Sequence, residues 1–291
     1  MFAAPFDYYR ASSLAEARQL LGRHPGAKLL AGGHSLIPLM KMRLARPSAL
    51  VDIGRIPELT GIAARGSTLR IGALTTHAEL ASSSALQSAC PLLAEAAAVV
   101  GDAQVRNVGT IGGNIAHADP ASDLPTVLLA LDATIHAVGP NGERAIQAGD
   151  FFQGMMTTAL GADEILTAIE VPVKQAGQGA AYVKFSHPAS RYAVIGAAAL
   201  VTVSGGKGGT CSAARVAIGG LLPAAVRCPD VERALEQQRL SADSVARAAN
   251  EVSRVLNDEV MGDVFASADY RRAMAPVYVG RALTSASART A

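Results

Sequence analysis

Two pairs of adjacent glycines, about 80 residues apart, constrain this chain more than any other feature of it. The first stands in Ala31-Gly32-Gly33-His34-Ser35, the second in Thr110-Ile111-Gly112-Gly113-Asn114. Each follows an apolar or β-type stretch. Glycine has no Cβ and takes φ > 0 freely, so a glycine pair can turn the chain and bring backbone N–H groups close to a ligand. One such loop is a turn. Two, with hydroxyl and amide side chains beside the glycines, suggest a split cradle for a diphosphate. Taken singly, the first motif also reads as an ordinary strand-to-helix turn.

The surroundings of the first pair form a small α/β piece over roughly residues 1–56. Ser13-Leu14-Ala15-Glu16 is a capping box. It opens a helix with Leu14, Ala17, Leu20 and Leu21 on one side, which Gly22 and Pro25 end. Lys28 to Ala31 reads as a short buried strand, Leu36 to Leu44 as a helix with Pro38 in its first turn, and Ala49 to Ile53 as another strand. The glycine loop then lies between strand and helix, where backbone amides and the helix dipole favour an anion.

A second piece runs to about residue 175. Thr68 to Ala73 is a strand, Thr76-His77-Ala78-Glu79 a second capping box, and Pro91 to Val100 helical. The second glycine loop follows, then a helix from about Asp123 to Leu131. Thr134 to Val138 and Arg144 to Ile146 flank Pro140-Asn141-Gly142-Glu143 as a hairpin. Glu164 to Val171 is a strand ended by Pro172. Lys174 to Gly179 is linker-like, which places a third unit over residues 176–291. There, strands near 180–185, 193–203 and 211–219 precede a mostly helical tail, with a glycine turn at 205–209. Strands followed by helices indicate a separate α+β domain.

Composition narrows the function classes. A length of 291 residues suits two or three subdomains. The charged share is 17%, below the usual ~25%, consistent with a surface partly covered by partners or filled with alanine. A net charge of +2 gives no electrostatic case for nucleic acid. The run Tyr192 to Gly206 is too short and glycine-rich for a membrane span. Asp7 and Arg10 interrupt the start, against a secretory signal. Cys90, Cys211 and Cys228 form no close pair, so no metal or cluster site is visible. The expectation is a cytoplasmic protein. No G-x-G-x-x-G is present, and Gly206-Lys207 lacks the rest of a P-loop. His34, His77 and His117 stand alone near loops and are assigned no catalysis.

In their longer context the glycine motifs are more specific. Leu30 to Pro38 continues through Met42-Arg43-Leu44, Pro47 and Val51-Asp52-Ile53. Thr110 to Pro120 continues into Ser122-Asp123-Leu124-Pro125. Together they resemble the FAD-binding medium subunit of carbon monoxide dehydrogenase and the matching domain of xanthine dehydrogenases and related molybdenum hydroxylases, over nearly the whole chain. The resemblance implies a mixed α/β, α+β fold. Two subdomains of the PCMH type hold FAD, and a C-terminal α+β domain of antiparallel sheet plus helices follows.

It also implies a site. Leu29, Leu30, Ala31, Gly32, Gly33, His34, Ser35 and Leu36, with Thr110, Ile111, Gly112, Gly113 and Asn114, match the two loops around the FAD pyrophosphate. Asp123 matches an acid that reaches a cofactor hydroxyl; from the residues alone it also reads as a helix N-cap. Leu166 matches an apolar lining position, Lys184 a lysine near the flavin, and Tyr192 an aromatic beside the isoalloxazine. Ser186 and His187 stand where many relatives carry arginine. The implied partners are a small [2Fe–2S] subunit and a large molybdenum-cofactor subunit, in a dimer of heterotrimers. Electrons would pass through the flavin to NAD⁺, a quinone or oxygen. A stand-alone FAD dehydrogenase and a flavin-free scaffold are the competing readings.

Overall fold

The computed structural model describes residues 2–205 and 209–290, so the glycine turn expected at 205–209 falls largely outside the described residues. The first sheet is parallel and built from β1 (Asp7–Arg10), β2 (Lys28–Leu30) and β3 (Ala49–Asp52), in the order β1-β3-β2. Helix α1 (Leu14–Arg23) and helix α2 (Leu36–Lys41) connect them. Ser13 caps α1, accepting from the Glu16 amide at 3.2 Å. The expected box closes differently, however: the Glu16 carboxylate accepts from the backbone N–H and hydroxyl of Ser12, at 2.7 and 2.6 Å. α1 also runs through Gly22 to Arg23. α2 stops at Lys41 rather than Leu44, because Arg43 turns to φ 60°.

The second sheet is antiparallel. It contains β4 (Ile62–Arg65), β5 (Thr68–Gly72), β6 (Thr134–Gly139), β7 (Gly142–Gln147) and the later β10 (Ile165–Pro172), in the order β4-β5-β10-β6-β7. Between β5 and β6 come six helices: α3 (His77–Ser82), α4 (Ser84–Ala89), α5 (Pro91–Ala98), α6 (Ala103–Val108), α7 (Ile111–His117) and α8 (Asp123–Ala130). A short α9 (Ala148–Phe151) and the small ribbon β8 (Phe152–Gly154) with β9 (Thr157–Thr158) precede β10. The Thr76–Glu79 box closes in both directions.

The second glycine pair corrects the sequence reading. It is the first turn of α7, not a loop. Thr110 caps the helix by accepting from the Gly113 N–H at 3.2 Å. Ile111 and Gly112 donate to the carbonyls of Thr75 and Ala73, at 2.9 and 2.8 Å. A Cβ on Gly112 would stand 2.6 Å from that of Ala73. This glycine lets the helix touch the end of β5.

The third sheet is antiparallel in chain order: β11 (Gln178–Ser186), β12 (Ala193–Ser204), β13 (Thr210–Gly219) and β14 (Val226–Arg227). Helices α10 (Pro229–Leu235), α11 (Ala242–Asn250) and α12 (Ala268–Ser287) follow. β12 is buried on both faces. Ala198 and Leu200 join the core of the second sheet, while Ala197, Ala199 and Val201 join the core under α12. That is why the run from Tyr192 shows no polar alternation. Gly196 and Gly219 lie opposite each other in the ladder. A Cβ on either would overlap a hydroxyl, that of Tyr182 or of Thr126.

All three cysteines are buried. Burial pushes the Cys90 and Cys228 thiols up to about 12 and raises that of Cys211. Only the thiolate reacts with disulfide reagents. Titration of the native protein with such a reagent should therefore find no fast thiol, and titration in guanidinium should find all three; one rapidly labelled native cysteine would contradict this burial. No helix among the described residues is long and apolar enough to cross a membrane.

Candidate cofactor site

The three sheets meet around a cleft of about 700 Å³, within the range of small-molecule and cofactor pockets. Its walls come from the β2–α2 turn, the start of α7, the start of α8, the segment from Met156 to Leu166 and the turn ending at Tyr192. The whole of Leu29 through Leu36 lines it, as do Thr110, Gly112, Gly113, Asn114, Asp123, Leu166 and Tyr192. Two predicted residues do not. Ile111 points into the core with no exposure, and Lys184 lies behind the wall, reaching the site only through Asp123.

The two glycine motifs contribute unequally. In the first, the backbone N–H groups of Gly32, Gly33, His34 and Ser35 have no hydrogen-bond partner among the described residues. Gly33 is left-handed, with φ 71°, and Gly32 packs so closely on the backbone of Val108 and Gly109 that no Cβ would fit. Four successive free amides in such a turn make a concave donor surface for an anion. In the second motif the amides of Ile111 to Asn114 are all used within the protein. What remains there is the side-chain NH₂ of Asn114, whose Oδ1 is held by the Ser122 hydroxyl at 2.7 Å, and the bare surface of Gly113.

Asp123 is the first residue of α8, and Ser122 occupies the N-cap position. Asp123 accepts from the Tyr182 hydroxyl at 2.7 Å and from the Lys184 ammonium at 2.9 Å. Lys184 also donates to the Val99 carbonyl at 3.1 Å. The Asp123 and Lys184 side chains are each 5% exposed. Burial pushes the Asp123 carboxyl up, opposed by the Lys184 charge and the two hydrogen bonds. Burial and the adjacent carboxylate hold the Tyr182 phenol well above its ordinary range. Each carboxylate oxygen has two lone pairs, so acceptor capacity remains toward the cleft. Sequence reasoning did not single out Tyr182. The signal was available: residues 182 and 184 alternate onto one face of β11.

Leu166 lies on β10, where the pairing with β6 slips between Leu166 and Ala168; such an irregularity re-aims a side chain. Tyr192 is 43% exposed. Its phenol is raised by burial and by the carboxylates of Asp119 and Asp123. The turn that carries it is held by His187, whose Nδ1 accepts from the amides of Ala189 and Ser190 at 3.2 Å each. The Ala193 N–H donates to Ala121 at 3.0 Å, tying the turn to the approach to α8. His77 and Arg191 also line the cleft, and neither was predicted as a site residue.

Free amides, a buried carboxylate and an apolar wall, brought together from three sheets, suit a cofactor with an anionic group, hydroxyls and an apolar ring. Residues 4–174 match the FAD binding domain in molybdopterin dehydrogenase, and residues 180–286 the CO dehydrogenase flavoprotein C-terminal domain. The carbon monoxide dehydrogenase medium chain of Hydrogenophaga pseudoflava is 42% identical over 292 residues, covering 100% of both chains. The 6-hydroxypseudooxynicotine dehydrogenase complex subunit alpha of Paenarthrobacter nicotinovorans is 40% identical over 97% of this chain and 94% of its own. A solved structure of the Hydrogenophaga pseudoflava carbon monoxide dehydrogenase superposes with a TM-score of 0.95 at 44% identity, covering 100% of both chains.

The chain belongs to this family: it is a FAD-binding medium subunit of the molybdenum hydroxylase class, an oxidoreductase component whose cofactor is FAD. The residues present fit that cofactor. The free amides at Gly32–Ser35 suit a diphosphate, the carboxylate suits sugar hydroxyls, and the apolar wall suits ring surface.

Proposed function

We propose that this chain is the electron-transfer subunit of a three-component molybdenum hydroxylase. The chemistry FAD supplies when bound is the passage of electrons from the [2Fe–2S] clusters of a small partner subunit to NAD⁺, a quinone or oxygen; substrate is oxidised at the molybdenum cofactor of a large partner subunit. The chain's own residues bind and orient. The amides of Gly32 to Ser35 receive the diphosphate, with Leu29, Leu30, Ala31 and Leu36 shaping the floor beneath them. Gly113, Thr110 and Asn114 form the opposite wall, Ile111 anchors that wall in the core, and Gly112 seats it on β5. Asp123 accepts from a cofactor hydroxyl, with the Lys184 ammonium beside it as a countercharge that opposes the effect of burial. Leu166 and Tyr192 bound the ring.

The observation that carries this reading is the row of unpartnered amides on the cleft wall of a chain similar from end to end to a medium chain. We divide the work among residues 1–56, 57–175 and 176–291, the last supplying Tyr182, Lys184 and Tyr192. We place the assembly in the cytoplasm as a dimer of heterotrimers. Anaerobic mixing with carbon monoxide, an aldehyde, a purine and a nicotinate-type heterocycle tests the relay. The purified subunit should keep its flavin colour with each, and the complete complex should bleach with one. Bleaching of the isolated subunit at the rate of the complex would favour a stand-alone dehydrogenase.

A further inference from the structure

His77 is a polar side chain of the cleft to which no role has been given. It opens α3 immediately after the Thr76 cap, is 2% exposed and forms part of the cleft wall. Its Nδ1 is sealed from solvent and has no hydrogen-bond partner. The opposite edge of the ring lies against Gly109: a Cβ there would stand 3.1 Å from Cδ2 and 3.3 Å from Nε2. Gly109 in turn lies under Gly32, whose absent Cβ would come within 2.9 Å of the Gly109 Cα. The His77 ring edge, Gly109 and Gly32 are therefore successive neighbours along the cleft wall.

The tautomer follows from where each nitrogen can find a partner. A sealed N–H without an acceptor is a costlier orphan than a sealed lone pair. The proton therefore belongs on Nε2, and Nδ1 is bare. A second proton would bury an unpartnered cation. Burial first, then the proximity of His34 on the β2–α2 turn and of the Arg106 guanidinium on α6, lower His77 to about 4. The imidazole is thus neutral at physiological pH and presents a donor.

Resting on the FAD reading above, we propose that His77 is a cofactor-binding residue: a neutral imidazole that donates its Nε2 hydrogen to an oxygen of the FAD diphosphate beside Gly32. Because the donor is uncharged throughout, its contribution to affinity does not titrate between about pH 5.5 and 8.

Two measurements on the full chain, stripped of flavin, test this. The first is the Kd for FAD of wild type, His77→Ala and His77→Gln. Alanine should raise Kd roughly tenfold at every pH in that range, and glutamine, which keeps a donor, should recover part of the loss. The second needs no variant. Long-range ¹H–¹⁵N spectra of the six histidines should show His77 as the Nε2–H tautomer. Its Nε2 signal should move on addition of FAD or inorganic pyrophosphate and stay fixed with riboflavin, which lacks phosphate. Unchanged His77 resonances with FAD, or variants that bind FAD as tightly as wild type, overturn the assignment. A wild-type chain that takes up no FAD at all would instead strike the cofactor reading on which the assignment rests.

Discussion

Replacing Asp123 by alanine should destabilise the protein by about 3–5 kcal/mol as well as strip it of FAD. Removing one member of a buried ion pair leaves the other charged and unpaired, which is the costly case. Here the stranded group is the Lys184 ammonium, 5% exposed and left with only the Val99 carbonyl, and the Tyr182 hydroxyl loses its acceptor as well. Denaturant midpoints and FAD titrations separate the two effects. Pairing Asp123→Ala with Lys184→Met should restore much of the stability, since apolar replacement of both partners is often neutral, but none of the flavin affinity. A single alanine variant as stable as wild type would mean that the pair is not buried as described.

The second large effect is expected at the glycines, and it differs among them. Gly33→Val places a β-branched residue at φ 71° with its Cβ 2.9 Å from the Ile37 side chain. The strain is on the order of 1–3 kcal/mol, and the free amides lose their alignment. Gly113→Val puts bulk on the cleft wall and crowds the Thr110 hydroxyl, 2.9 Å from the new Cβ. Both should purify folded and without flavin. Gly112→Val should fail earlier, as a folding defect, because its neighbour is the backbone and side chain of Ala73. Flavin content per chain and circular dichroism, read together, distinguish these outcomes. Full flavin occupancy in Gly33→Val would remove the first motif from the cofactor site.

What could be read from the sequence depended on whether the determinant was local. The Thr76–Glu79 box, the hairpin around Pro140-Asn141 and the helix from Asp123 were legible because capping and turn chemistry act within a few residues. β1 was missed because Asp7-Tyr8-Tyr9-Arg10 is mostly exposed and lacks apolar alternation; only its pairing with β3 makes it a strand. The helical state of Gly112-Gly113 runs against glycine propensity. It comes from bonds to Ala73 and Thr75, which the local sequence does not reveal. The site divided in the same way. The first glycine motif announced itself, whereas the burial of Lys184 depends on Asp123, 61 residues away. Lysine on a strand is ordinarily solvated. The glycines that make room for Tyr182 and Thr126, Gly196 and Gly219, gain their meaning only across the ladder.

That 61-residue separation also sets an order of events during synthesis. The chain emerges from its N-terminus, so Asp123 leaves the ribosome before Tyr182 and Lys184 do. A carboxylate without its countercharge resists burial, so the Asp123 side of the cleft needs Lys184 and Tyr182 in place before it can close. The turn that carries Tyr192, tied to Ala121, comes later still. A chain cut short before residue 182 lacks the phenol and the ammonium that bond Asp123, and the Tyr192 wall of the cleft.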